Sequence, residues 1–337
     1  MTIQDGHPLR IRDVATRAGV SPATVSRVLN GSATVGQSRR DRVLAAVNEL
    51  GYRPNRVASN LRRQQVQMIG VVISDIENPH FTEMVRATED AAYARGYRVL
   101  LCNTDEDPAK QRAYLEVLAA ERVAGAIISP TAADSPEIGE LIDLGTRVVA
   151  FDRAVADPRA DLVLTDNVAG ARRGAAHLIE CGHTRVGFIG GPTTVQTGLE
   201  RQRGYEEAIA AAGLRPLVAH GGFRLDGGRR AAGELIEEGA SALLVANNLM
   251  TVGVLQAVKQ RGLRLRSDIG LVSIDDPPWA SLTDPPLTTL AQPVRAMADA
   301  AVELLFHQLE RGRTRRKRVV FDFELRHRDS CCPHDGT

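Results

Sequence analysis

The stretch IRDVATRAGVSPATVSRVLNG, residues 11–31, decides how this chain is read. Ile11, Val14, Ala15 and Ala18 recur at i, i+3, i+4 and i+7, the spacing of one apolar helical face. Ala18-Gly19-Val20 breaks that face. Ser21 suits an N-cap, and Pro22 suits the first helical position, where the N–H it lacks would have gone unpaired. Val25, Val28 and Leu29 then make a second apolar stripe, which Asn30-Gly31 ends. Ser38 is placed to cap a third helix with Val43, Val47 and Leu50 inward and Gly51 closing it. Two short helices joined by a tight glycine turn match the helix-turn-helix pattern. With the second stripe facing inward, Ala23, Thr24, Ser26, Arg27 and Asn30 face outward or lie along the rim. Ala23 is slim enough to let a helix approach base edges, Thr24 and Ser26 can donate to phosphates or bases, and Arg27 can fork onto guanine O6 and N7.

The charge agrees. Residues 1–64 hold eleven arginines, no lysine and four acids, a net +7 in a chain of net +1, so the remainder carries −6. A basic head on a mildly acidic body is the footprint of a nucleic-acid arm on another module. Arginine supplies 39 of the 42 basic residues, so arginine count alone is no phosphate signal. A length of 337 residues suggests about two domains. A composition of 43% hydrophobic and 25% charged residues excludes a wholly disordered chain. No run approaches the roughly 18 apolar residues of a membrane helix. MTIQDGHPLRIRDVA lacks the apolar core of a secretory signal, so the expected location is cytoplasmic. The four cysteines (Cys102, Cys181, Cys331 and Cys332) show no CxxC spacing, which predicts reduced thiols rather than a disulfide scaffold or zinc ribbon.

From Met68 the texture changes to β-rich runs alternating with helical stretches: 68–73, 97–102, 125–129, 147–151, 161–165, 185–190, 241–245 and 268–274. The rhythm predicts parallel sheets with crossover helices, arranged as two doubly wound lobes. A helix is expected at 294–311 and a closing strand near 318–324. The boundaries expected are a head at 1–53, a linker helix at 54–65, the two-lobed body at 66–327 and a frayed tail at 328–337. Ligands of such sheets sit beyond the carboxyl ends of strands. Asp152, Arg153, Asn247 and Asp275 all fall there, and Phe81 and Phe223 could stack on a sugar ring. Taken singly, each reads equally as a cap, an ion pair or a core aromatic; their shared placement is the signal.

Other signals are weaker. Gly190-Gly191-Pro192 follows a strand but lacks the remainder of a phosphate-binding fingerprint. His177 with Cys181-Gly182-His183 does not have the spacing of a closed metal site. Residues 311–318, RGRTRRKR, read as a solvated loop between the last helix and the last strand, and Trp279 has no assigned role. No cofactor and no metal are expected.

Beyond the pattern, residues 11–31 followed by VLAAVNELGYRPNRVASNLRR (43–63) closely resemble the head of the lactose/galactose-repressor (LacI/GalR) family. The likeness continues through VISDIENPHF (72–81), VAFDR (149–153), TDNVAGA (165–171), HTRVGFIGG (183–191), RQRGYEEAI (201–209), VANN (245–248), SIDD (273–276) and PPLTTLAQP (285–293). The resemblance implies a helix-turn-helix head on a body similar to periplasmic sugar-binding proteins. It implies a homodimer on a pseudo-palindromic operator, with Ser21, Pro22, Ala23, Thr24, Ser26, Arg27 and Asn30 at the major groove. Asn55, Ala58 and Leu61 would lie in a hinge at the minor groove, Leu61 wedged into the central base step. Phe81, Asp152, Arg153, Arg201, Phe223, Asn247, Asp275 and Gln292 would line a sugar cleft. His80 departs from the pattern, standing where an aromatic ring usually precedes Phe81, which leaves room for an acidic or phosphorylated ligand.

The function expected is a ligand-responsive transcriptional regulator, most simply a repressor, with double-stranded DNA, a small polar effector and a second copy of itself as partners. The alternative from another class is a sugar-binding or sugar-modifying α/β protein with a structural helical head. A base–nucleophile set, which an enzyme would need, is not evident; Asp275-Asp276 is the one paired carboxylate at the cleft.

Overall fold

Three short apolar stripes build the first unit: α1 (Ile11–Ala18), α2 (Pro22–Leu29) and α3 (Gln37–Leu50). The computed structural model describes residues 11–29, 35–51, 66–312 and 315–332, in two units that divide after residue 65. Val14, Ala15, Ala18, Val25, Val28, Val43 and Ala46 form the head's core, with Ile11, Val20, Leu29, Val47 and Leu50 packed against it. Gly19 turns the chain between α1 and α2 at φ +65°, which a side chain rarely adopts. Ser21 Oγ accepts from Thr24 N–H at 3.2 Å, the expected cap. The third helix begins at Gln37, one residue before the Ser38 cap that was expected, and its N-cap is Gly36 without a side-chain bond. Gly51 closes it in the left-handed conformation.

The second unit holds two six-stranded sheets. β1 (Val66–Ile73), β2 (Arg98–Asn103), β3 (Val123–Ile128), β4 (Arg147–Phe151), β5 (Asp161–Thr165) and β11 (Arg318–Phe321) lie in the order β11-β5-β4-β3-β1-β2. β6 (Val186–Gly190), β7 (Leu217–His220), β8 (Ala242–Val245), β9 (Gly270–Ile274), β10 (Thr288–Ala291) and β12 (Glu324–Arg326) lie in the order β12-β10-β9-β8-β6-β7. Every pairing is parallel except β10 with β12. The central strands β6, β8 and β9 are buried along their whole length, as continuous apolar runs in two-sided parallel sheets should be. The first lobe carries helices α4 (Pro79–Ala94), α5 (Pro108–Ala120), α6 (Pro136–Asp143) and α11 (Val294–Arg311); the second carries α7 (Asn167–Glu180), α8 (Gln196–Ala211), α9 (Leu225–Glu237) and α10 (Asn248–Gln260). Asn78, Asp107, Asp166 and Asn247 cap α4, α5, α7 and α10 with side-chain oxygens on backbone N–H groups. The chain crosses between lobes three times, after β5, after β10 and between β11 and β12.

Four expectations change. The closing strand near 318–324 is two strands in two sheets, separated at Asp322-Phe323. Phe323 is buried against the bare face of Gly170, which pins the crossing. β7 and β10 were not foreseen; each is only four residues long. The tail is not frayed as far as residue 332, because Ser330 Oγ donates to Leu271 O (2.6 Å) and accepts from Thr288 N–H (2.8 Å), and Cys331 is fully buried. Cys181 and Cys332 are joined by a disulfide across 151 residues, a separation that no local spacing could reveal. The 311–318 run does join α11 to β11, but it is tied down: Arg316 Nη2 donates to Val155 O and Lys317 N–H to Asp161 Oδ1, each at 2.7 Å. Trp279 packs half-buried on the core of the second lobe. No helix among the described residues is long and apolar enough to cross a membrane.

Candidate functional site

In the head, burying Val25 and Val28 turns the opposite face of α2 outward. Ser21, Pro22, Ala23 and Arg27 are exposed, and Thr24 and Ser26 are half-buried. Ser21 Oγ and Thr24 Oγ1 lie 3.0 Å apart at the start of the helix. Arg17 pairs with Glu49 at 2.6 Å, fastening α1 to α3 behind it. The result is a short rod with small and hydroxylated residues at its N-terminal end and a guanidinium one turn on, the shape and chemistry that a major groove accepts. Asn30, Asn55, Ala58 and Leu61 lie outside the described residues.

In the body, all eight cleft residues named from the sequence line one cavity: Phe81, Asp152, Arg153, Arg201, Phe223, Asn247, Asp275 and Gln292. Its interior space is about 30 Å³, room for a water or two, so a larger ligand enters only if the lobes part. Topology explains the convergence, because β1 and β3 in one lobe and β6 and β8 in the other flank the points where strand order reverses, and the residues following strand ends meet there. Sequence reading missed Asp75, Asn78, Glu106, Thr197 and Arg224, which line it too. Asp75 and Glu106 carry the same after-strand signal that found Asp152, after β1 and β2.

The backbone is strained where it turns into the cleft. Asp105, Glu106, Asp152, Phe223 and Asp275 all have φ between +56° and +74°, five of the seven non-glycine residues in that region among those described. Such conformations cost about 1–3 kcal/mol each and gather at ligand sites. Gly191 explains its own presence: a Cβ there would meet the Phe223 ring at 2.2 Å, so this glycine makes room for an aromatic wall rather than cradling a phosphate.

The charges are arranged lobe by lobe. Arg153, 4% exposed, donates to both Glu106 oxygens at 2.6 Å. Burial works against its charge, but Glu106 and Asp152 outweigh that and hold the guanidinium above its ordinary pKa. Arg201 is equally buried and donates to Asn167 Oδ1 (2.8 Å) and Ala246 O (2.6 Å), both uncharged. Arg224 reaches from the second lobe to the first, to Asp75 at 2.6 Å and Asp105 at 2.5 Å. Burial pushes the Asp75 carboxyl up, against the pull of Glu77 N–H and Arg224. Asn248 Nδ2 crosses to Asn78 Oδ1 at 2.8 Å, and Gln196 Oε1 accepts from Ala154 N–H at 2.8 Å. Gln292, on the second crossing, donates to Asp275 Oδ1 (2.7 Å) and meets Thr165 Oγ1 at 3.2 Å.

Two readings need adjustment. Asn247 is a helix cap, its Oδ1 accepting from Met250 N–H at 2.9 Å, and its Nδ2 gives a long bond of 3.5 Å to Phe223 O, which leaves one amide hydrogen for the cavity. Asp275-Asp276 is no working carboxylate pair, because Asp276 turns away to Arg326 and Arg328. Burial alone would raise the Asp276 pKa, but those arginines and Thr289 hold it below the usual range. His80 does take the aromatic place beside Phe81, edge-on with ring centroids 5.0 Å apart. Both its nitrogens are buried without a hydrogen-bond partner, Nε2 standing 3.7 Å from Asp152 Oδ1, and Arg153 Nε likewise makes no hydrogen bond, only an ion pair with Asp152 Oδ2 at 3.5 Å.

Residues 10–55 match the family model of bacterial regulatory proteins, lacI family, and residues 175–331 that of a periplasmic binding protein-like domain. The ribose operon repressor of Halalkalibacterium halodurans is 35% identical over 303 residues, covering 89% of this chain and 90% of that protein. The chain belongs to the LacI family. As a LacI-family protein it is a DNA-binding transcriptional regulator and not an enzyme. The lac repressor dimer bound to operator and the anti-inducer ONPF superposes with a TM-score of 0.83 at 28% identity, covering 96% of this chain and 99% of that one. A periplasmic binding protein/LacI transcriptional regulator from Alkaliphilus metalliredigens, complexed with D-xylulofuranose, gives 0.72 at 27% identity over 79% and 99%.

Proposed function

We propose that this LacI-family regulator is an operator-binding repressor whose DNA affinity is set by a neutral, pentose-sized sugar held in the body cleft. The protein acts as a homodimer on a pseudo-palindromic operator. Ala23 and Arg27 read the major groove, and the segment around Asn55, Ala58 and Leu61 sits in the minor groove. Leu61 wedges a base step at a cost of a few kcal/mol, offset by the contacts the bend allows. Effector closure of the lobes biases how that segment meets the DNA, and a few kcal/mol of bias is enough to switch operator affinity.

The observation that carries the reading is the cleft's polar balance. Asp152 and Asp275 accept, Arg153, Arg201 and Asn247 donate, and Phe81 and Phe223 give apolar walls, the mixture that alternating hydroxyls and C–H faces of a sugar require. Arg153 is already neutralised by Glu106, which favours an uncharged ligand over a phosphate. The nitrogens of His80 and Arg153 that make no hydrogen bond within the protein are groups a bound hydroxyl would satisfy. A sugar in place of His80's missing partners also agrees with the D-xylulofuranose held by the Alkaliphilus relative.

Calorimetry on the full chain with pentoses, hexoses and their phosphates tests the ligand. DNA selected from random duplexes, then titrated with and without the sugar that binds, tests the switch. Expected are one pentose binding in the micromolar range, loss of that binding in Arg201→Ala, and a shift of operator affinity by the parent alone. Binding of phosphates only, or operator affinity indifferent to every ligand, would overturn the reading.

A further inference from the structure

Far from the cleft, at the C-terminal end of α7, lies a cluster that the regulatory reading does not use. His177 and Cys181 stand one turn apart on and just after that helix, and His327, Cys331 and Cys332 come from the segment after β12. Nε2 of His177 faces His327 Nδ1 at 3.1 Å, Cys331 Sγ at 3.3 Å and Cys181 Sγ at 3.8 Å. Cys331 Sγ and Cys332 Sγ are 3.9 Å apart. The donor atoms of His177, His327, Cys331 and Cys332 all lie within 4.8 Å of one another.

A single imidazole nitrogen makes one hydrogen bond, so it cannot satisfy both His327 Nδ1 and Cys331 Sγ pressed against it. A metal ion at their centre can. Zn–N near 2.0–2.1 Å and Zn–S near 2.3 Å give tetrahedral edges of about 3.3 Å between nitrogens, about 3.6 Å for nitrogen to sulfur and about 3.8 Å between sulfurs. Three of the six edges, at 3.1, 3.3 and 3.9 Å, follow that pattern in order and in size, and the other three lie within 4.8 Å, so the donors close in by up to about 1 Å when the ion binds. The supporting groups are in place too. Thr288 Oγ1 sits 3.2 Å from Cys331 Sγ, and His183 bridges the Cys331 carbonyl (2.8 Å) to Ser241 (3.1 Å), which fixes the loop. Such outer bonds hold ligands in ligating orientation.

We propose that, once the Cys181–Cys332 disulfide is reduced, His177, His327, Cys331 and Cys332 bind one Zn²⁺ tetrahedrally. A dithiol reductant opens the bridge by exchange: two electrons and two protons pass to the cysteine sulfurs, and the reductant leaves as its own disulfide. Zn²⁺ then displaces one proton from Cys331 and one from Cys332, and the two neutral imidazoles complete a site of zero net charge. Cys332 is shared between ion and bridge, so the two states exclude each other, and Cys181 is the sulfur that competes with zinc. Two nitrogens and two thiolates suit borderline-soft Zn²⁺ and not Mg²⁺ or Ca²⁺.

The test uses the full chain, reduced with a dithiol that is then removed under nitrogen, and titrated with Co²⁺ as the visible stand-in for Zn²⁺. Expected are thiolate-to-cobalt charge transfer and tetrahedral ligand-field bands that saturate at one ion per chain and vanish as Zn²⁺ displaces it. The untreated, disulfide-bonded chain should show neither, and Cys181→Ser should bind without any reductant. His327 is exposed, so His327→Ala leaves the fold intact, as a thermal melt will check, and should weaken Zn²⁺ binding by more than about 100-fold, since even outer-shell changes cost about 10–100-fold. The absence of thiolate–cobalt bands in both the reduced parent and Cys181→Ser would overturn the proposal. So would His327→Ala binding as tightly as the parent.

Discussion

Arg27 and Arg153 were both marked by the sequence for a polar partner, yet they sit in opposite settings. Arg27 stands exposed on an eight-residue helix whose whole face is legible from two consecutive turns of sequence. Arg153 is buried in a cleft whose members run from Phe81 to Gln292, gripped by Glu106 on a neighbouring loop. One arginine waits on a scaffold that does not need it; the other is part of the scaffold that walls the cleft. Surface recognition is therefore separable from stability in the head, while in the cleft the two are fused.

That contrast breaks most visibly at Arg153. Arg153→Ala should destabilise the body by about 3–5 kcal/mol, because Glu106 is left as an uncompensated, mostly buried charge. Denaturant unfolding checks it, and the double change Arg153→Met with Glu106→Leu should restore most of the stability without restoring sugar binding. In the head, Arg27→Ala should cost roughly 1–3 kcal/mol of specific DNA affinity and relax base preference, with thermal stability unmoved within about 0.5 kcal/mol. Anisotropy titrations against selected and scrambled duplexes measure the first, and calorimetry the second; a matching loss of stability would erase the distinction. Gly191→Ala sharpens it from the cleft side. The added methyl must displace the Phe223 ring, so sugar affinity should fall about tenfold, or about 1.4 kcal/mol, with little effect on unliganded DNA binding. The smallest effect is expected beside the cleft, at Asp276. Its pKa is held below the ordinary carboxylate value when folded, so its pairing stabilises the protein above that range and is lost as the pH falls through the lowered value. Asp276→Asn should cost about 1 kcal/mol near neutrality, allowing for solvent screening, and the gap from the parent should close in strong acid.

How much was legible follows from the same contrast. α2 was readable to the residue because helical period, cap and turn all act within a dozen positions. Most strands of the body were readable because two-sided burial leaves them as plain apolar runs. β7 and β10 escaped because four residues are too few to carry a pattern, and β11 and β12 were fused because alternation continues across Asp322-Phe323 while the sheet changes. The eight cleft residues were found partly by their after-strand position and partly by family likeness. Arg224 was not, since nothing local shows that it spans to Asp75 and Asp105. The cysteines were misread for a related reason: Cys181 and Cys332 meet only when the end of the chain returns to α7.

The three passages between lobes leave from neighbouring strands, β5 with β11 on one side and β10 with β12 on the other. Tethers gathered along a single rim act like the spine of a book. The covers can swing apart at the fore-edge, where Arg224 serves as the clasp, but they can neither slide past each other nor be pulled off separately. Neither cover is an unbroken stretch of polypeptide, so no single cut could ever free one of them whole.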